Sequence, residues 1–345
     1  MRARRLGEPL LEYHGGLHLR GTLLWFDAPE PRQLCFVSHA LVAGGIAHQK
    51  IVSTETTAAL LRAIGSADGR GRRAHEPQAL VTPYRRSFAL GTLELELFPA
   101  GHSLGSASLL VEHQGHTVVY AGAINPRRTA LSERLEARRC DLLVLPASPA
   151  ALRRLALPPA EDVERGLLRF VRETLEAKGT PVLFCAPVGE AQEVAALLGE
   201  AGLPLRAHRQ IFAACRVYRE RLGDRFPMRT LKRYQRSIDP AAEPSVLLWP
   251  AHLRHSPAIA QQPGARLGFV SGLALEPTVR AEMDCHEAFP LSAEADYAGL
   301  LEYVRACAPT EVALMGAGPG DLGRDLTALG IEVSFLGPER QLALF

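Results

Sequence analysis

Lysine is nearly missing from this chain: Lys50, Lys178 and Lys232 are the only three in 345 residues, and every other basic side chain is arginine. A GC-rich coding sequence accounts for that bias; a preference for planar, bidentate phosphate recognition is the functional alternative. Net charge is missing too. A formal value of +2 excludes a protein that holds nucleic acid by bulk charge alone. No apolar run approaches the roughly 20 residues that cross a bilayer, so no membrane partner is expected. The opening "MRARRLGEPLLEY" is basic without an apolar core, so it does not read as a secretory signal and the expected location is cytoplasmic. Six cysteines (35, 140, 185, 215, 285, 307) never form a C-x-x-C pair. That excludes a zinc ribbon and fits buried, reduced thiols. Internal repeats and long low-complexity segments are absent.

What remains is an ordinary globular composition, 47% hydrophobic and 22% charged. The length suits two or three domains, or one large domain carrying an insertion. Short strands crowd the first half: "LLWFDAP", "QLCFVS", "TLELELFPA", "ASLLVEH" and "HTVVYAG", the last two joined by the hairpin turn Gln114-Gly115. Thr54 is placed to cap a helix over "TETTAALLRAI". "CDLLVLPAS" reads as a buried strand. Apolar residues at 163, 167, 170, 171 and 175 then predict a helix ending at Gly179, followed by the strand "TPVLFCAPV" and a helix closed by Gly202. Such alternation builds a parallel sheet. Residues 208 to 266 are rich in arginine and proline and yield no clear elements beyond a helix near "FAACRVYRERL". From 285 onward the order is helix "ADYAGLLEYVRACA", strand "EVALMG", helix "DLGRDLTALG" and strand "IEVSFLG". The loop 65 to 77 is a basic cluster that reads as solvated.

Seven segments together carry a resemblance. "FVSHALVAGGIAHQKIVSTETTAALL", "FPAGHSLGSASLLVEHQGHTVVYAGAINPR", "CDLLVLPAS", "GTPVLFCAPVGEAQEVAALL", "FVSGLAL", "FPLSAEADYAGLL" and "EVALMGAG" follow one another as in the metallo-β-lactamase-fold nucleases of the β-CASP type. The chain resembles the ligase-associated DNA exonucleases of that group and their RNA 3′-end-processing relatives, from about Gly16 to the end. The resemblance implies an α/β fold: an αββα metallo-β-lactamase sandwich from residues 1–160 and 285–345, with a β-CASP α/β domain inserted at 161–284. It implies two zinc ions on His and Asp ligands at strand ends, holding a hydroxide against a phosphodiester.

The implied ligands are mostly gone. His39 matches the first histidine of the family's H-x-H-x-D-H signature, and His102 in "AGHSLGSA" matches another ligand. The remaining positions fall on Leu41, Ala43, Gly44, Ala123 and Gly316, none of which can coordinate a metal. Pro146 stands in an acidic position, Glu294 replaces a histidine, and Asp296 is kept where the family uses it structurally. Two imidazoles make at most a weak residual zinc site, for which His48, His14 or Glu294 are the candidate third ligands. If the positional match holds, His39 and His102 lie within about 10 Å of each other, as imidazoles sharing one metal must. Otherwise each is a structural histidine, hydrogen-bonded at a strand end or in a tight turn.

These readings converge on a catalytically inactive homologue with no required cofactor, whose scaffold binds nucleic acid or a protein partner. The resemblance alone supplies the setting, DNA repair or RNA processing beside a ligase and a helicase. The alternative is an active metallo-hydrolase with a rebuilt one-metal or metal-free site, its cleft drawing on His39, His102, Glu294, Asp296 and His286; Ser103 is the nearest nucleophile. "GPGDLG" (318 to 323) matches a dinucleotide fingerprint in strand-to-helix context, but too little chain follows for a nucleotide-binding half. The 206 to 236 segment is the best electrostatic argument for phosphate contacts.

Overall fold

The computed structural model describes residues 10–42, 46–67, 78–127, 129–146, 156–316 and 320–337. The described residues form a mixed α/β structure with three sheets. In chain order come β1 (Leu11–Tyr13), β2 (Leu17–Leu19), β3 (Leu24–Phe26), β4 (Leu34–Phe36), β5 (Lys50–Ser53), helix α1 (Glu55–Ala67) and β6 (Gln78–Val81). These six strands form the first sheet in sequence order, antiparallel through β3 and parallel from there on. Strands β7 (Phe88–Leu90), β8 (Leu93–Pro99), β9 (Ala107–His113), β10 (His116–Tyr120) and β11 (Leu142–Pro146) begin the second.

The third sheet alternates with helices: α2 (Ala160–Glu176), β12 (Pro181–Cys185), α3 (Glu190–Glu200), β13 (Leu205–Ala207), α4 (Arg209–Leu222), β14 (Leu231–Arg233), β15 (Val246–Pro250), α5 (Pro257–Ala260), β16 (Arg266–Val270), α6 (Pro277–Met283) and β17 (Glu287–Phe289). All its pairings are parallel, in the order β14-β13-β15-β12-β16-β17. The chain then returns through α7 (Tyr297–Cys307), β18 (Glu311–Met315), α8 (Gly320–Ala328) and β19 (Glu332–Leu336) to finish the second sheet as β19-β18-β11-β10-β9-β8-β7.

Side-chain alternation decides the layering. Leu17, Leu19, Phe26 and Phe36 of the first sheet share a core with Leu95, Leu97, Leu109, Val111 and Tyr120 of the second, so the two sheets pack face to face. The outer face of the second sheet (Phe98, Val119, Leu143, Leu145) is covered by Leu300 and Val304 of α7 and Leu322 and Leu326 of α8. Leu61 of α1 packs on Cys35, Val37 and Ile51, covering the first sheet. In the third sheet Leu183 and Cys185 face α2, α3 and α4, while Val182 and Phe184 face α5 and α6.

Local chemistry explains most element ends. Gln114 and Gly115 have φ of 51° and 77°, the double positive φ of a type I′ turn, and His113 pairs with His116 across it. The Thr54 hydroxyl accepts from Thr57 N at 3.1 Å and donates to Gly105 O at 2.6 Å, capping α1 and tying it to the 101–105 turn. Helix α3 stops at Glu200 and Gly202 follows at φ 72°, the closing glycine expected there; α2 stops at Glu176, before Gly179, and the left-handed residue there is Lys178. Residues 208 to 266 hold α4, β14, β15, α5 and the start of β16, more order than their composition suggests. β1, β2, β5, β6, β7 and α6 were also not foreseen. β17 at 287–289 completes the third sheet. Most of the basic loop 65 to 77 and residues 318 and 319 of "GPGDLG" lie outside the described residues.

Candidate functional site

The ends of β3, β10, β11 and β18, together with the loop before α7, enclose a cavity of about 460 Å³. Its walls include His39, Ala123, Pro146, Glu294 and Gly316, five positions that the sequence singled out from segments up to 277 residues apart (316 − 39). Asp27, Tyr120 and Tyr13 add polar surface; Val42, Ile124, Leu300, Met315 and Leu336 make the rest apolar. Parallel strands that end side by side put their following residues at one mouth, which is how the chain gathers these positions.

His39 and His102 stand against each other with ring centroids 4.4 Å apart and planes at 62°. Both are buried. His102 Nδ1 donates to Ala293 O at 2.9 Å; a carbonyl can only accept, so Nδ1 carries the proton and Nε2 is the bare nitrogen. Among the described residues, neither His102 Nε2 nor His39 Nδ1 has a hydrogen-bond partner. Burial pulls the pKa of His39 well below the ordinary imidazole range, and the neighbouring His102 adds to this. Burial also lowers that of His102, against the opposing pull of Glu294 and the Ala293 carbonyl. Two neutral rings therefore meet at neutral pH.

Asp27, the carboxylate that closes "LLWFDAP", was not among the sequence candidates. Its signal was an acidic residue directly after a buried strand. It sits at φ 42° and accepts three hydrogen bonds: from Ser38 N at 2.8 Å, Ser38 Oγ at 2.5 Å and Tyr120 Oη at 2.9 Å. Burial nonetheless pushes its pKa up to about 6. The network holds the segment carrying His39 against β10. Behind it Gly122 (φ 63°) lies so close to Ser38 that a Cβ would stand 2.8 Å from Ser38 Cβ, which fixes glycine in "YAGA".

The other described candidates do not line the cavity. Asp296 is a helix cap: its Oδ1 accepts from Gly299 N at 2.9 Å at the start of α7, and it does not line the cleft proposed for it. Leu41 packs on the core cluster that includes Leu60 and Ile64 of α1. His48 Nδ1 accepts from Arg32 N at 3.2 Å and His286 Nδ1 from Leu267 N at 3.0 Å, while exposed His14 pairs with Glu12 at 3.4 Å. Ser103 is buried in the 101–105 turn. Ala43 and Gly44 lie outside the described residues.

A two-zinc centre does not fit these side chains. Ala123 and Gly316 bring no donor atom to the cavity, both oxygens of Asp27 are engaged in hydrogen bonds, and His102 has one nitrogen left. Among the described residues no group of three His, Cys, Asp or Glu side chains could hold a metal ion. Beside the cavity lies a second acidic group. Glu190 opens α3, is buried, and accepts from Ala186 N at 3.0 Å; burial pushes its pKa up to about 8. Glu193 on the same turn bonds to Arg127, which also donates to Ser292 O at 3.2 Å. No described helix is long and apolar enough to cross a membrane.

No family model matches the chain. It is 32% identical over 337 residues to a protein of Opitutus terrae named "Probable DNA ligase", covering 97% of this chain and 32% of that protein. A shorter likeness, 31% identical over 107 residues, is to an "RNase J-like protein" of Methanocaldococcus jannaschii, covering 30% of this chain and 24% of that one. The chain thus spans about a third of the length of the ligase it matches. Among solved structures, a protein of unknown function from Enterococcus faecalis matches with a TM-score of 0.56 at 13% identity, over 89% of this chain and 79% of that one. That likeness concerns the fold alone: this is an α/β chain nearly all of which is similar to one part of a protein named "Probable DNA ligase".

Proposed function

We propose that this chain is a non-catalytic relative of the metallo-β-lactamase-fold nucleases, in which residues 1–160 and 285–345 form the sandwich and the third sheet is the β-CASP insertion. The observation that carries the reading is the cavity. Two positions at which the resemblance demands metal ligands, Ala123 and Gly316, and one at which it demands an acidic residue, Pro146, come to one mouth beside His39. Hydrolysis of a phosphodiester by two metals needs nearly saturated ions with one open position each. This mouth supplies two imidazoles, one of them hydrogen-bonded to backbone, and a carboxylate already committed to Ser38 and Tyr120.

In this reading the scaffold binds nucleic acid beside proteins that act on it. The names of the two relatives, a DNA ligase and an RNase J-like protein, support nucleic acid as the shared context. The ligase likeness also favours a ligase as a partner, because nearly all of this chain corresponds to a third of that longer protein.

Incubation of the purified chain with end-labelled single- and double-stranded DNA and RNA, with manganese or zinc supplied, tests the proposal. No degradation is expected. Activity that disappears in His39→Ala would establish instead the rebuilt metallo-hydrolase. Activity that persists with chelator present and disappears in Asp27→Asn would establish a metal-free acid-base site.

A further inference from the structure

The arginine-rich segment of residues 206 to 236 divides, in the structure, into two unequal sets. Arg206 is buried against Glu243, Arg216 pairs with Glu220, Arg219 with Asp224 and Arg221 with Glu55, and Arg209 is engaged as well. Arg225, Arg229, Arg233 and Arg236 are different. All four are exposed, and none has an ion pair or hydrogen bond among the described residues. Lys232 joins them with only a long contact to Glu243 at 3.8 Å. From 225 to 238 the chain contains no carboxylate.

These cations flank and occupy β14, the edge strand of the third sheet, where Lys232 and Arg233 are both solvent-facing. The opposite edge is β17, whose following loop brings Glu294 to the cavity. Five strand spacings separate the two edges, roughly 24 Å at about 4.8 Å each. We infer that the β14 edge is a phosphate-tracking surface for a nucleic-acid strand, remote from the cavity. This rests on the nucleic-acid reading given above and assigns its contact surface.

Charge and geometry carry the assignment. Four guanidiniums at spacings of four, four and three residues, Arg233 on β14 and the others in the segments on either side of it, present bidentate donors to a run of anions. A polyanion matches that cluster of cations. Because these side chains have no partner among the described residues, a phosphate would displace water rather than a carboxylate. Edge strands also carry basic residues simply to block pairing with another chain; that role requires no oligonucleotide and predicts a different outcome below.

The test is fluorescence anisotropy with labelled 20-nucleotide single-stranded DNA, RNA and duplex probes from 50 to 300 mM KCl. It compares the unaltered chain, R225A/R229A/R233A/R236A, and Arg216→Ala as a control in a paired position. Loss of four phosphate contacts should reduce the slope of log K against log salt by about 3, at about 0.7 per contact for single strands. Affinity at 100 mM salt should fall at least tenfold, with Arg216→Ala unchanged. Binding with an unchanged slope in the quadruple variant overturns the assignment and leaves the nucleic-acid reading standing. Unchanged binding together with new self-association would identify an edge guard instead. Failure of the unaltered chain to bind any probe overturns the nucleic-acid reading itself.

Discussion

Glu190 gives the sharpest quantitative expectation. Its carboxyl is buried at the start of α3, and burial, reinforced by Glu294 and Glu193 nearby, moves its pKa from the ordinary 4.5 to about 8. Hydrogen bonds from Ala186 and Ser271 pull the other way and lose. The folded state therefore holds a proton that the unfolded chain releases above pH 4.5. A raised carboxyl contributes stability that is fully present below its unfolded pKa and is lost as pH rises through the folded value. Each pKa unit is worth about 1.4 kcal/mol, so the complete loss is roughly 5 kcal/mol, of which roughly 3 kcal/mol falls between pH 5 and 7. Glu190→Gln keeps an oxygen for Ala186 N and removes the titration. Urea unfolding followed by far-UV circular dichroism at pH 5, 6, 7, 8 and 9 should show the variant gaining steadily on the parent, with the difference levelling off above pH 8. Parallel curves across that range would refute the reasoning, because they would mean that Glu190 ionises in the folded protein as freely as in the unfolded one.

Two further comparisons, each of a pair of substitutions, bear on the turn behind the cavity. Gly101→Ala must hold φ 77° with its Cβ 2.3 Å from Asn125 O, and should cost more than about 3 kcal/mol, whereas Gly21→Ala, at φ 74° with open space around it, should cost about 1 kcal/mol in the same thermal denaturation assay. Thr54→Ala removes both the α1 cap and the bond to Gly105 O, for an expected loss of about 1–2 kcal/mol; Thr57→Ser, which keeps a hydroxyl for Gly105, should be close to neutral by comparison.

Much of the site was legible in the sequence because its parts are strand ends with recognisable punctuation. "AGHSLGSA" announces a tight turn, "YAGA" another, and an apolar run before Ser38-His39 marks a strand mouth. The type I′ hairpin at Gln114-Gly115 and the Thr54 cap were equally plain, since each depends on residues within a few positions. What escaped notice depends on distance. The partner of His102 is a carbonyl 191 positions away, and nothing local marks it. Asp27 was a single acidic residue after a strand until Ser38 and Tyr120 closed on it. Asp296, by contrast, was read both as structural and as a possible cleft residue, and it caps α7 through Gly299, three residues on. Strands β15 and β16 are buried in the sheet interior, so "VLLWP" and "RLGFV" lack the alternation that betrays a half-exposed strand. The arginines were countable from the start; which of them are neutralised depended on Glu55 and Glu243, outside the segment.

In the proposed reading the cavity no longer holds a metal centre. Metal analysis of the chain after stripping with chelator, reloading with zinc or manganese and desalting tests it most directly. Well below one ion per chain is expected, with any residual zinc reduced further in His39→Ala. Two tightly held ions per chain would contradict it.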